Sequence, residues 1–115
     1  MGMNSLVLTT VGSKSGVERS TPVAWFAGEN SSWLIVASAN GAANNPSWYH
    51  NIAANPDKVQ IELEGRKVAV TADQLHGTDR EKAWHEITTA SPRFAGYQKK
   101  TDREIPVIQL VAKTS

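Results

Sequence analysis

Three segments of this chain place reactive or charged residue types at spacings that allow binding chemistry. The first is Gly12–Arg19. Its two glycines, Gly12 and Gly16, let backbone N–H groups converge on an anion. Ser13 and Ser15 add hydroxyls, Lys14 a point charge, and Arg19 a bidentate fork. It is not a nucleotide-binding P-loop, because the Gly-Lys-Ser/Thr order is absent. The competing reading is a solvated hairpin turn with ordinary charges. The second segment is Ser38–Asn51. Small residues at Ala39, Asn40, Gly41 and Ala42 let a flat ring approach the backbone, and a helix N-terminus then offers partial positive charge to a phosphate. Trp48 and Tyr49 either wall that ring or pack a short helix. The third is Ser91–Arg103, with Phe94 and Tyr97 three residues apart and then Lys99, Lys100 and Arg103. Its aromatic face either lines a substrate pocket or covers one end of the fold, with a solvated basic rim.

What is missing narrows the chemistry further. There is no cysteine, which removes disulfides, thiolate metal sites and a cysteine nucleophile. His50, His76 and His85 show no triad context and no i, i+4 metal spacing, so a hydrolase, an isomerase or a metal site is not expected. An enzyme built from these residues takes its reactive atom from a cofactor. The net charge of +1 over 115 residues creates no field for nucleic acid. No apolar stretch approaches the roughly 20 residues of a spanning helix. The 40% apolar and 20% charged fractions are those of an ordinary globular domain.

The elements that position these segments follow from periodicity. Strands are expected at 5–11, 17–27, 33–38, 58–64, 66–75 and 105–111, with Pro22 marking an edge or bulge. Residues 39–45 are expected to be irregular. Asn45 caps and Pro46 starts a helix running to about Ala54. Val59, Ile61 and Leu63 alternate into a hairpin that turns at Gly65. Thr78 with Glu81 fits a capping box for a helix that Pro92 ends, and a short helix follows over 93–100. About six strands with two or three short helices is an α+β, mainly β pattern that can close into a small barrel. One domain, 1–115, is expected. Met1-Gly2-Met3 reads partly as an artificial start, so an N-terminal extension is expected to be missing.

Taken together, the segments resemble the deazaflavin-dependent nitroreductase family, whose members use coenzyme F420. The matching residues are Leu8 to Gly16 with Arg19, Thr21 and Pro22; Val36-Ala37-Ser38; Asn45-Pro46 with Trp48 to Asn51 and Ala54-Asn55-Pro56; and Tyr97-Gln98 with Thr101 to Val107. The resemblance implies a split β-barrel like that of FMN-binding oxidases. It implies an oxidoreductase that moves a hydride from reduced F420 to a quinone, nitro-aromatic or conjugated enone acceptor.

Cofactor contacts are then expected from Ser13, Lys14, Ser15, Gly16 and Arg19 to the anionic tail. Thr21, Pro22, Ala37, Ser38, Gly41, Pro46, Ser47, Trp48, Tyr49 and Asn51 would follow along the phosphate, ribityl chain and ring. Ser38 and Tyr97 are the catalytic candidates, and Ser91, Phe94 and Tyr97 the substrate pocket. No metal is implied. An FMN-dependent oxidoreductase on the same barrel, or a non-catalytic deazaflavin carrier, is the alternative. A cytoplasmic monomer or homodimer is expected, without membrane contact unless a natural N-terminal helix precedes the first strand.

Overall fold

The computed structural model describes residues 4–113; the reading of Met1-Gly2-Met3 lies outside the described residues. Seven strands, β1 (Ser5–Val11), β2 (Glu18–Ala24), β3 (Phe26–Ala27), β4 (Trp33–Val36), β5 (Val59–Leu63), β6 (Arg66–Gln74) and β7 (Val107–Ala112), form one antiparallel sheet. Three helices are inserted, α1 (Ser47–Ala54), α2 (Gly77–Ala90) and α3 (Arg93–Lys99). The spatial order is β2-β1-β5-β6-β7-β4-β3. Its two ends, β2 and β3, are separated in the chain by Trp25 alone. One continuous stretch therefore pairs with β1 at its start and with β4 at its end. That connection forces the sheet to curl back on itself into a split barrel, and β2 approaches β4 across the seam.

Alternation decides what fills the barrel. Leu6, Leu8, Ile35, Val59, Ile61, Val70, Ala72, Ile108 and Leu110 point inward, and Ile52 of α1 plugs one end. The flanking residues of β4 and β7 point the other way. Leu34, Val36 and Val107 pack against Ala83, Ile87, Phe94 and Ile105 beneath α2 and α3. Both faces of β4 are thus covered, which is why its sequence is an unbroken apolar run. Burying each of these large aliphatic side chains stabilises the fold by roughly 1.5–3 kcal/mol.

Several expectations are corrected. The long strand over 17–27 is split, making seven strands from six. Pro22 stays in register opposite Val7, on the edge strand where its missing N–H is harmless, and the break falls at Trp25. Helix α2 starts two residues too early for Thr78 to cap it; His76 is the N-cap and makes no side-chain cap bond. Its start is set instead by the end of β6, where the Leu75 N–H donates to the Val107 carbonyl, and by Gly77 at φ +58. Pro46 is itself the N-cap of α1, and no side chain caps that helix, Asn45 included. Residues 39–41 form a 3-10 turn rather than irregular loop. The last strand begins at Val107, after Pro106, because the Ile105 carbonyl is taken by Arg80 at 2.7 Å. The β5–β6 hairpin forms as expected, with positive φ at both Glu64 and Gly65 (+51 and +77).

Candidate functional site

A groove runs from the end of β1 to α3, in two compartments that share Pro22, Ala39, Pro46 and Trp48. The wider, of about 810 Å³, is walled by Thr10, Gly12, Ser13, Lys14 and Ser15, by Arg19 and Thr21 of β2, and by Ser47 and Asn51 of α1. The narrower, of about 260 Å³, is walled by Val23, Ala24, Val36 and Ser38, and by Arg93, Phe94 and Tyr97 of α3. Arg19 stands opposite Thr10, and Thr21 opposite Leu8, so the two side chains leave the same face of β2. Ser47, Trp48 and Asn51 fall on one side of α1 at helical spacing.

The turn after β1 does not offer its backbone to an anion as its glycines suggest. The Gly12 N–H donates to the Val17 carbonyl at 2.8 Å and the Gly16 N–H to the Gly12 carbonyl at 3.0 Å. The Val17 N–H donates to Ser15 Oγ at 3.2 Å, and the Ser13 N–H to Asn51 Oδ1 at 3.0 Å. Gly16, at φ +71, closes the turn and does not line the groove. Any grip on an anion therefore falls to side chains. Lys14 and Arg19 are exposed, and among the described residues neither makes an ion pair. The rigidity of the turn comes from Asn51, which is 7% exposed and also donates through Nδ2 to the buried Thr10 Oγ1 at 3.1 Å.

In the narrower compartment Phe94 is buried edge-on between Phe26 and Tyr97, at 5.7 and 5.5 Å between ring centroids. The Ser38 carbonyl accepts from Arg103 Nη2 at 2.9 Å and from the Gly41 N–H at 2.8 Å. Among the described residues no group bonds Ser38 Oγ or the Tyr97 hydroxyl, so both remain available to a bound molecule. No histidine or carboxylate lines either compartment.

Five of the residues singled out from sequence lie off the groove. Besides Gly16, Ala37 is fully buried and contributes only backbone hydrogen bonds. Gly41 is buried against the backbone of Tyr97. Tyr49 leaves α1 about 100° round from Trp48; its hydroxyl donates to Gln74 Oε1 at 2.6 Å, and its ring lines a separate cavity with Ile52 and Ala72. Ser91 is buried where α2 meets α3, its N–H donating to the Ile87 carbonyl and its carbonyl accepting the Phe94 N–H.

The alternative that put Arg103 on a solvated basic rim does not hold for this residue. Arg103 donates from Nε to the Ala42 carbonyl (3.0 Å), from Nη1 to the Ala37 carbonyl (3.1 Å) and Asn45 Oδ1 (2.6 Å), and from Nη2 to the Ser38 carbonyl. Desolvation lowers its pKa but leaves the guanidinium charged. These partners lie 58 to 66 residues earlier in the chain, so no local pattern announces them. Within the loop it holds, Ala39 sits at φ +45, a left-handed conformation that costs a non-glycine residue about 1–2 kcal/mol.

Lys14 and Arg19 at the wider end of the groove, and Trp48, Arg93, Phe94 and Tyr97 at the narrower end, make a lining that suits a ring-bearing anion. The family model described as F420H(2)-dependent quinone reductase matches residues 1–112. This chain belongs to that family. It is an oxidoreductase of the F420-dependent kind, within the wider group that its motifs resemble. It is 38% identical over 112 residues to an F420H(2)-dependent quinone reductase of Mycobacterium tuberculosis, covering 95% of this chain and 74% of that relative. A solved F420-H2 dependent reductase superposes with a TM-score of 0.81 at 36% identity, covering 96% of this chain and 99% of the other. A second solved structure, described as a domain-swapped dimer, gives a TM-score of 0.83 at 38% identity, covering 96% and 82%. The residues present fit the coenzyme: the wider compartment is within the usual range for a cofactor site, and two cations without an ion-pair partner among the described residues, Lys14 and Arg19, line it.

Proposed function

We propose that this chain reduces a quinone, with the coenzyme held in the wider compartment and the acceptor in the narrower one. The observation that carries this reading is the junction of the two compartments over Pro22, Ala39, Pro46 and Trp48. It is a place where two flat molecules can overlap with only a methyl and three rings around them. Reduced F420, when bound, supplies the hydride. Lys14 and Arg19 hold the anionic tail, with Ser13 and Ser15 beside them, and Thr21, Pro22, Ser47 and Asn51 line the path toward the ring. Ser38 Oγ and the Tyr97 hydroxyl donate hydrogen bonds to the acceptor oxygen, stabilising the negative charge that grows there as the hydride arrives. With no acidic side chain in either compartment, the proton that completes the hydroquinone comes from water. Positioning and electrostatics are what the protein adds.

The test is an anaerobic titration with F420H2, followed by turnover with menadione. Micromolar binding with oxidation of the coenzyme supports the reading. A chain that ignores F420 and is purified with FMN overturns it, and tight F420 binding without turnover makes it a carrier. Nitro-aromatic and enone acceptors are tested in the same assay. The domain-swapped relative supports a homodimer as the assembled form, which light scattering reads. No helix among the described residues is long and apolar enough to cross a membrane, and a cytoplasmic location is proposed.

A further inference from the structure

We propose that Arg103 is a positioning residue for this reaction: it holds Ala39 in its left-handed conformation, and so keeps the junction between coenzyme and acceptor open. The inference rests on the functional reading above. Ala37, Ser38 and Ala42 all turn their carbonyls toward one guanidinium, at 2.9 to 3.1 Å. Three converging carbonyls repel one another unless a cation with several fixed donors lies between them, and a planar fork meets that need where an ammonium does not. Between the anchored carbonyls lies Ala39, at φ +45, followed by Gly41 at φ +82. A non-glycine residue keeps that conformation only where its surroundings over-determine it.

Arg103 is itself fixed. Its carbonyl accepts from Gln98 Nε2 at 2.7 Å, while Gln98 Oε1 accepts the Ile105 N–H at 3.0 Å. Gln98 follows Tyr97 on α3. The same network thus ties the acceptor wall to the loop that bears Ser38 and Ala39, and the spacing of the two walls is set by residues that touch neither ligand. Arg103 lies in neither lining and acts through Ser38 and Ala39.

The experiment compares Arg103→Lys, which keeps the charge and loses the fork, with the wild type and with the double variant Ala39→Gly/Arg103→Lys. Two readouts are taken: amide exchange at Gly41 and Ala42, whose N–H groups bond the Ser38 and Ala39 carbonyls, and the Kd for oxidised F420 by fluorescence. In Arg103→Lys, exchange at these two amides is expected to rise at least tenfold and the Kd at least fivefold. In the double variant the Kd is expected to return at least halfway, because glycine adopts positive φ without strain. Unchanged exchange and Kd in Arg103→Lys overturn the proposal, as does a Kd that Ala39→Gly does not improve. The exchange readout needs no coenzyme. A wild type that fails to bind F420 therefore sinks the functional reading, while loop exchange still decides whether Arg103 holds the loop.

Discussion

Asn51 holds Ser13: from the middle of α1 its Oδ1 accepts the Ser13 N–H at 3.0 Å, while its Nδ2 donates to Thr10 at 3.1 Å. One buried amide thus fixes the cation-bearing turn to the helix that floors the groove. Asn51→Leu leaves a backbone N–H and a buried hydroxyl without partners. It is expected to cost about 2–3 kcal/mol by denaturant unfolding and to weaken F420 binding, because Lys14 rides on the released turn. Thr10→Val removes only one of the two bonds and is expected to cost about 1 kcal/mol with little effect on binding. Equal effects from both variants would contradict this division of labour.

Lys14 and Arg19 carry the grip on the anion, since the turn's own N–H groups are largely committed within the protein. Lys14→Ala and Arg19→Ala are each expected to weaken F420 affinity by about 1–3 kcal/mol, the range for charged hydrogen bonds. The loss should be larger at low ionic strength, where screening is weaker. Isothermal titration at two salt concentrations reads both effects. Normal affinity in both variants would remove the anion site.

Gly41 and Gly65 separate backbone strain from packing. Both have positive φ, +82 and +77, but a Cβ on Gly41 would lie 2.9 Å from the Tyr97 carbonyl oxygen and 3.0 Å from Lys100, whereas Gly65 faces open space. Gly65→Ala is expected to cost about 1 kcal/mol, from conformation alone. Gly41→Ala should cost about 2–4 kcal/mol, since it also pushes the loop off α3. Thermal unfolding compares them, and equal costs would mean that the loop yields freely.

Glu29 and Lys82 form an exposed pair at 2.8 Å, each shifting the other. The hydrogen bond and charge of Lys82 hold the Glu29 carboxyl below its ordinary 4.5, and those of Glu29 hold Lys82 above its ordinary 10.5. For Glu29 the contribution to stability is present above 4.5 and disappears as pH falls through the lower folded value. For Lys82 it is present below 10.5 and disappears as pH rises through the higher one. Lys82→Gln is expected to lower Tm slightly at neutral pH and low salt, and not at all near pH ~2 or in ~1 M salt. A difference that persists in acid would assign the effect to something other than the pair.

Some of the site was legible because its signals are local. Gly12 to Arg19 announces a charged turn, and alternation in β5 and β6 sorts core from surface whatever the partners are. The Phe94 and Tyr97 spacing predicts a shared aromatic face, and both do wall the narrower compartment. Other residues carry no such signal. Asn45 looks like a helix cap from its neighbours, yet its side chain is claimed by Arg103. Tyr49 sits beside Trp48 in the chain, yet the helical twist turns it about 100° away, to Gln74.

The lack of cysteine and of a recognisable triad is plain from the residues alone, and it means that the reactive atom is borrowed. Apolar alternation and four motifs in register likewise point to the barrel and to the family to which the borrowed atom belongs. Which donors face the groove is settled by the folded chain. The sheet closes because β2 and β3 are one stretch of chain, and that closure sets Arg103 beside carbonyls some sixty residues earlier. Hydrogen bonds over such separations depend on where the barrel brings the chain together, and short-range periodicity holds no record of it.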